Sequence, residues 1–239
     1  MSNRAAARVV VVAQARMSSS RLPGKVLMDL GPGRTLELLA RRLARAQSVD
    51  ALALATSDHR DDDPIAALGA QLGLTVVRGP LDDVLERYRL AAERLRCDAI
   101  VRITADCPLI EPTVIDRVAD LWRADATVHY AWNTREPRTF PDGLDVEVVS
   151  RSALDEAAAE SDDPYDREHV TPFVRDRPER FGQRSLRLDP PARAVKLSLD
   201  TPDDLIAIRA FVARVGPDAT LAEIVAAAGG DASAEMVVG

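Results

Sequence analysis

Lysine is nearly missing from this chain: of its 31 basic residues only Lys25 and Lys196 are lysine. Cysteine is as scarce. Cys97 and Cys107 are too few for a disulfide framework or a zinc cluster, and reduced thiols in a cytoplasmic protein are the expectation. Long apolar runs are missing too. The stretch after Arg8 is broken by Gln14 and Arg16, and no small-residue cleavage site follows, so neither a membrane span nor a signal peptide is expected. Positive charge is not in excess: the formal net charge is −7. That argues against nonspecific nucleic-acid binding but leaves a small anionic ligand open, because local charge decides the latter. There is no GxSxG elbow, and neither cysteine has a histidine nearby in sequence, so a covalent nucleophile is not expected.

What is present is ample apolar material, 46% of 239 residues, enough for one large domain. Short apolar runs alternate with amphipathic stretches. Strands are expected over residues 9–13, 51–56, 75–78 and 99–104, and helices over 36–46, 64–72, 82–95 and 112–122. In the third helix Val84, Leu85, Tyr88 and Ala91 fall on one face. Strand and helix repeated four times predicts an α/β fold: a mainly parallel sheet with helices on both faces. The pattern then changes. A loop (133–142), a strand (144–149) and helices (152–159, 166–175) precede a last strand at 194–199 and a helix starting at Thr201. Thr201-Pro202-Asp203-Asp204 is a strong helix start, with Thr as N-cap, Pro first and acids in the first turn. The tail after Ala226 is expected to fray. The whole chain, 1–239, reads as one domain in which 130–190 is an inserted subdomain, the region to which the resemblance set out below assigns acceptor binding and dimerisation.

Parallel sheets bind ligands at the carboxyl ends of their strands, and three polar segments fall there. The first runs from Gln14 and Ala15 through Arg16, Ser18, Ser19, Ser20 and Arg21 to Lys25. Its amides, hydroxyls and cations suit a phosphate chain. It is not a Walker loop, because Gly24 is its only glycine, and it also fits a solvated basic surface. The lysine argues for function. A compositional account puts arginine at position 25, whereas a crowded phosphate site favours a compact ammonium over a wide guanidinium fork. The second segment, VRITADCPLI, places Asp106 just past a strand, suited to a hard cation or to the next helix N-terminus. The third, KLSLDTPDDL, puts Lys196, Ser198 and Asp200 on one face of an extended chain, where a structural salt bridge is the plainer account. Together they suggest two carboxylates holding a divalent ion over a triphosphate. Nucleotidyl transfer needs in-line placement and charge stabilisation rather than covalent help.

At these residues a resemblance enters. QARMSSSRLPGKVL, RGPLDDVLERY, VRITADCPLI, TFPDGLDVEVVS, DPYDREHVTPF and LSLDTPDDL, in order, resemble the cytidylyltransferase family of acylneuraminate and ketodeoxyoctonate cytidylyltransferases. The branch named for spore coat polysaccharide biosynthesis protein SpsF is the nearest within it. The resemblance runs from about Val9 to Arg209. It implies a nucleotide-diphospho-sugar-transferase-like fold and Mg2+-dependent transfer of CMP from CTP with release of pyrophosphate. It implies Arg16, Arg21 and Lys25 on the triphosphate, and Asp106 and Asp200 on the metal. Arg16, Lys25, Asp106 and Asp200 are thus the catalytic candidates. Ser18 and Ala105 stand where the branch carries glycine, which adopts positive φ more readily.

Arg78 is assigned to the nucleotide. Arg87, Asp142, Asp145, Glu147, Arg167, His169 and Lys196 are assigned to the acceptor, with Arg167 suited to clamp an anionic group and His169 to hydrogen-bond it. Salt bridges, a helix face or a dimer surface account for the same residues. His59 reads as solvated, and Trp122 and Trp132 as core. The expected acceptor is a sugar acid of the nonulosonic type, with a phosphonate as the alternative and a nonenzymatic nucleotide-binding domain as the second. Glycosyl transfer is disfavoured, since TADC offers one aspartate where a DxD pair is needed. The choice of cytosine rests on the resemblance alone. The expected partners are CTP and a small anionic acceptor, with no nucleic acid or membrane, and the family implies a homodimer.

Overall fold

Val9, Val10, Val11 and Val12 are all fully buried, alternate ones facing opposite ways. An uninterrupted apolar run is what a strand covered on both faces requires. This strand, β1 (Val9–Gln14), is paired in parallel on one side with β2 (Ala51–Ser57) and on the other with β4 (Ala99–Thr104), while β3 (Thr75–Gly79) extends the sheet beyond β2. The computed structural model describes residues 4–134, 136–192 and 195–239. The four expected strands are therefore present. The sheet continues beyond β4 with β6 (Glu147–Ser150), β5 (Val128–Trp132), β7 (Gly182–Asp189) and β8 (Glu235–Val238), giving the order β3-β2-β1-β4-β6-β5-β7-β8. β6 runs antiparallel to both of its neighbours, and β8 antiparallel to β7.

Helices cover both faces, as the strand–helix alternation requires. Val9, Val11 and Ala13 pack with α1 (Thr35–Leu43), α2 (Asp63–Gln71) and α4 (Pro112–Ala124). Val10 and Val12 pack with α3 (Val84–Leu95) and α5 (Arg151–Glu160). Asp83 caps α3 by accepting from the Glu86 amide at 2.9 Å. The Tyr88 hydroxyl is 3.1 Å from Val12 O and 3.2 Å from Ile103 O. A single buried hydroxyl thus locks α3 over β1 and β4 close to their carboxyl ends.

Four expectations are corrected. The helix expected at 166–175 is two short ones, α6 (Pro164–His169) and α7 (Pro172–Arg175), parted at Val170 with φ 73° and ψ −54°. Pro172 has no amide to donate and restricts the residue before it, and the Thr171 amide turns back to His169 O at 2.9 Å. The strand expected at 144–149 is confined to β6. The segment 195–200 joins no ladder; Lys196 makes only an isolated bridge with Asp142. Arg135 of the expected 133–142 loop and Ala194 of that expected strand lie outside the described residues. The tail does not fray: α8 (Pro202–Val215) is followed by α9 (Leu221–Ala227), capped by the Thr220–Glu223 pair, and then by β8. β5, β6 and β7 place the strands of 130–190 in the main sheet.

The extended segment is nonetheless fixed. Leu197 donates to Asp142 O at 2.7 Å and Leu199 to Asp106 O at 2.8 Å. Leu197 and Leu199 are buried with Leu144 and Ile208 of α8. Gly143 permits this approach at φ +96°; a Cβ there would sit 2.6 Å from Leu197 C and 2.8 Å from Ser198 N. Gly143→Ala is expected to destabilise the fold by about 2–4 kcal/mol, from strain plus backbone collision. Urea unfolding measures the loss directly.

Candidate active site

The loop after β1 is held from below. The Met17 amide donates to Asp62 Oδ1 at 2.7 Å, and Leu22 and Val26 are buried. Gly24, in the left-handed region at φ 70°, starts the tight turn Lys25–Leu27. This turn sends the Lys25 ammonium inward, 2.5 Å from Asp106 Oδ2 and 2.9 Å from Asp200 Oδ1. Arg21 adds a contact to Asp200 Oδ1 at 3.1 Å, and Lys196 one to Asp200 Oδ2 at 3.2 Å. Burial pushes the Asp200 carboxyl up, but hydrogen bonds and charge from Lys25 and Lys196 outweigh it and hold the group below its ordinary range. Both lysines of the chain therefore converge on one carboxylate. Asp204, the capping acid of α8, accepts from the Asp200 and Thr201 amides at 3.0 and 2.9 Å and from Lys196 at 2.6 Å. The helix start read from the sequence thereby fixes Asp200.

Among the described residues no cluster of three or more histidine, cysteine or acidic side chains forms a ready metal cage. Asp106 and Asp200 supply two hard oxygen ligands at a cavity mouth. That fits a Mg2+ ion, which takes one or two carboxylates and completes its shell with water and phosphate oxygens.

The cavity has a volume of about 370 Å³. It brings together Gln14, Ala15, Arg16, Ser19, Ser20, Arg21 and Lys25 of the loop, the two aspartates, Arg87 of α3 and His169 of α6. Arg16 reaches across it to Glu168 at 3.0 Å. Ser18 does not line it, and neither Ser18 nor Ala105 has the positive φ that a glycine there would suggest. Arg78 lies outside it, drawn to Asp63 at 2.6 Å and to the carbonyls of Ser57 and His59 at 2.8 Å. Arg167 is turned toward Asp83 at 3.3 Å and Ala158 O at 2.8 Å, bracing α6. Lys196 and Asp142 line a separate cavity of about 270 Å³. His59 is exposed and Trp122 is in the core; Trp132 stacks on Tyr130 at 4.7 Å.

A second cavity of about 480 Å³ shares Thr104 and His169 with the first. Its walls carry Asp145 and Glu147, two of the residues assigned to the acceptor from the sequence, and three arginines that the sequence did not single out: Arg102, Arg138 and Arg175. Arg102 pairs with Glu147 and Arg138 with Asp145. Tyr130 OH and, at 2.7 Å, Thr171 Oγ1 also donate to Glu147. Burial pushes the Glu147 carboxyl up, yet Arg102 and the three hydrogen bonds hold it below its ordinary range. Burial prevails at Asp145, pushing it up to about 6 despite Arg138. The strained turn at Val170, itself 1% exposed, carries His169 on one side and Thr171 on the other. A β-branched residue at positive φ costs about 1–3 kcal/mol and persists where the surroundings enforce it.

Fold and site together define a nucleotidyltransferase-like α/β protein. Residues 10–215 match the family model described as Cytidylyltransferase, and the chain belongs to that family of CTP-dependent nucleotidyltransferases. It is 31% identical over 226 residues to the spore coat polysaccharide biosynthesis protein SpsF of Bacillus subtilis, covering 91% of this chain and 92% of that one. The solved structure of a cytidylyltransferase from Leptospira borgpetersenii is similar with a TM-score of 0.87 at 28% identity, covering 92% and 93% of the two chains. CMP:2-keto-3-deoxy-manno-octonic acid synthetase complexed with CTP shares the fold, with a TM-score of 0.65 at 19% identity over 87% of this chain and 99% of that one.

Lys25→Arg is expected to lower kcat/KM for CTP roughly 10- to 100-fold, because a planar fork does not fit between two converging carboxylates. Steady-state kinetics checks it, with unchanged turnover refuting the need for an ammonium. Glu147→Gln strands the Arg102 charge and is expected to cost about 3–5 kcal/mol at pH 7. The Glu147 carboxyl is depressed in the fold, so its stabilisation is present above the unfolded carboxylate range and lost as pH falls through the lower folded value. Unfolding curves of wild type and variant should therefore draw together on acidification.

Proposed function

We propose that the protein transfers CMP from CTP to a sugar acid of the nonulosonic type, releasing pyrophosphate. The observation that carries this reading is the meeting of Asp106 and Asp200 on Lys25 in a cavity also lined by Arg16, Arg21 and Arg87, which shares Thr104 and His169 with a second cavity. Arg16, Arg21 and Lys25 bind the triphosphate, with Ser19 and Ser20 as hydroxyl donors. Asp106 and Asp200 would hold Mg2+, which supplies Lewis-acid stabilisation of the charge that develops on the phosphates. The acceptor hydroxyl enters from the second cavity, past Thr104 and His169, in line with the α-phosphate and opposite the departing pyrophosphate. Residues 130–190 form most of that cavity and act as the acceptor region, Arg175 meeting the acid group. The Asp145 and Glu147 carboxylates on the same wall favour a polyhydroxylated acid, whose hydroxyls donate to them, over a compact phosphonate dianion. SpsF, by its name, belongs to polysaccharide biosynthesis, and the synthetase whose fold is shared takes CTP and a keto-deoxy sugar acid. We propose a homodimer as the assembly.

The test is pyrophosphate release from CTP and Mg2+ with a panel of sugar acids and phosphonates. Release with the sugar acids, reduced about 10²-fold or more by Asp106→Asn, is the expected result. Release with phosphonates alone reassigns the acceptor. Tight CTP binding without turnover across the panel would make the chain a nucleotide sensor.

A further inference from the structure

Among the described residues two arginines are fully buried, and they are treated differently. Arg42 is 0% exposed, and its three terminal donors reach Ile110 O, Pro217 O and Ala219 O at 2.6, 2.9 and 2.7 Å. Arg87 is 1% exposed, yet only Nη1 is engaged, by long contacts of 3.3 Å to Pro80 O and 3.2 Å to Leu81 O. Its Nε is buried without a partner, and among the described residues it forms no ion pair. A guanidinium cannot shed its charge by deprotonation, so a buried one left short of acceptors is costly unless a ligand completes it. Arg87 lines the first cavity.

The same cavity holds an orphan of the opposite kind. Gln14 Oε1 is buried and accepts no hydrogen bond. Along β1, Gln14 lies two residues beyond Val12, hence on the face that α3 covers. Arg87 precedes Tyr88, the residue that locks α3 to Val12. The donor and the acceptor thus lie on one side of the sheet. Lys25, Asp106 and Asp200 are hydrogen-bonded together, whereas Gln14 Oε1 and Arg87 Nε have no partner. The lining therefore holds a self-paired carboxylate-and-ammonium set and an unpaired acceptor-and-guanidinium set.

A phosphate chain satisfies the first set. At the second, a lone guanidinium suits an acceptor, and an amide oxygen requires a donor and repels an anion. Cytosine carries both complements on one edge: an exocyclic amine that donates, beside N3 and O2, which accept. Uracil presents a carbonyl oxygen where cytosine has the amine. We infer that Arg87 and Gln14 read the base, Arg87 donating to N3 and O2 and Gln14 Oε1 accepting from the amine, so that this pair selects cytidine over uridine nucleotides. The inference rests on CTP occupying this cavity as proposed above, and it moves Arg87 from the acceptor to the nucleotide. A uridine nucleotide would point its N3–H at the Arg87 donors, which have no acceptor form, and would require the Gln14 amide to turn over to meet O4, the kind of mismatch that discriminates.

Calorimetric titration of the full chain with CTP, UTP and inorganic tripolyphosphate, each with Mg2+, tests it without an acceptor. Wild type is expected to prefer CTP over UTP by about 10-fold or more. Gln14→Met should narrow the preference about 3-fold or more by weakening CTP, Arg87 still opposing the N3–H of uracil, whereas Gln14→Glu, an acceptor on both oxygens, should keep the preference. Both triphosphates feel the added charge alike, so the ratio is the readout. Arg87→Met should weaken CTP about 10-fold or more and leave tripolyphosphate within about 2-fold, while raising the unfolding temperature of the free protein. An unchanged ratio in Gln14→Met, equal binding of CTP and UTP by wild type, or equal losses of CTP and tripolyphosphate in Arg87→Met overturns the inference and leaves the reaction standing. Failure of wild type to bind CTP overturns the reaction, and the inference with it. Should Arg87→Met fail to fold, the two Gln14 variants, at a partly exposed position, decide the matter.

Discussion

The Lys25 ammonium between Asp106 and Asp200 is the contact on which the site depends. Two carboxylates this close repel unless a cation lies between them, and one bridging ammonium neutralises half of their charge. The partners come from three distant parts of the chain: the loop after β1, the end of β4 and the extended run before α8. None of these holds the others by ladder bonding alone. Leu199 N–H to Asp106 O, the Gly143 close approach and the Asp204 cap make the convergence rigid. Ground-state order of this kind matters for phosphoryl chemistry, in which positioning and electrostatics do most of the work.

The second cavity is built on another principle. There the charges are paired in place, Arg102 with Glu147 and Arg138 with Asp145, and the Arg102 pair is buttressed by Tyr130 and Thr171. Buried pairs contribute little net stability but fix geometry when every partner is present. Thr171 ties this network to the strained turn at Val170, and the turn presents His169 on the wall common to both cavities. The strain is carried by a residue that is itself fully buried, so packing and the Glu147 network hold it together.

Much of this was legible in the residues. β1 to β4 follow from apolar runs whose alternation is absent because both faces are covered, and α3 and α8 follow from their period and caps. Lys25 stood out by composition, and Asp106 and Asp200 by their place after strands. The rest was hidden for physical reasons. β5 and β7 are strands whose partners are far away in sequence, and β8 exists only because β7 offers it an edge. The run 195–200 is extended but unladdered, so it resembles a strand in every local respect. Arg102, Arg138 and Arg175 gave no signal, since arginine is this chain's default cation and one more is no contrast.

That default has a consequence for how the two cavities differ. A permanently charged side chain must find its compensation inside the protein or in the ligand. Arg42 finds it in carbonyls, and Arg102 and Arg138 find it in carboxylates. These arginines are structural walls whose charge is already spent. Arg87, buried but short of acceptors, is the exception, and its deficit lies where a nucleotide would lie. The distinction cannot be read from residue identity, because all four are arginines. It appears only when the charge partner of each arginine is traced, since Arg102 and Arg138 also leave Nε unpartnered. In charge the second cavity is largely balanced before anything binds, whereas in the first the ligand, by the inference drawn above, completes Arg87 and Gln14.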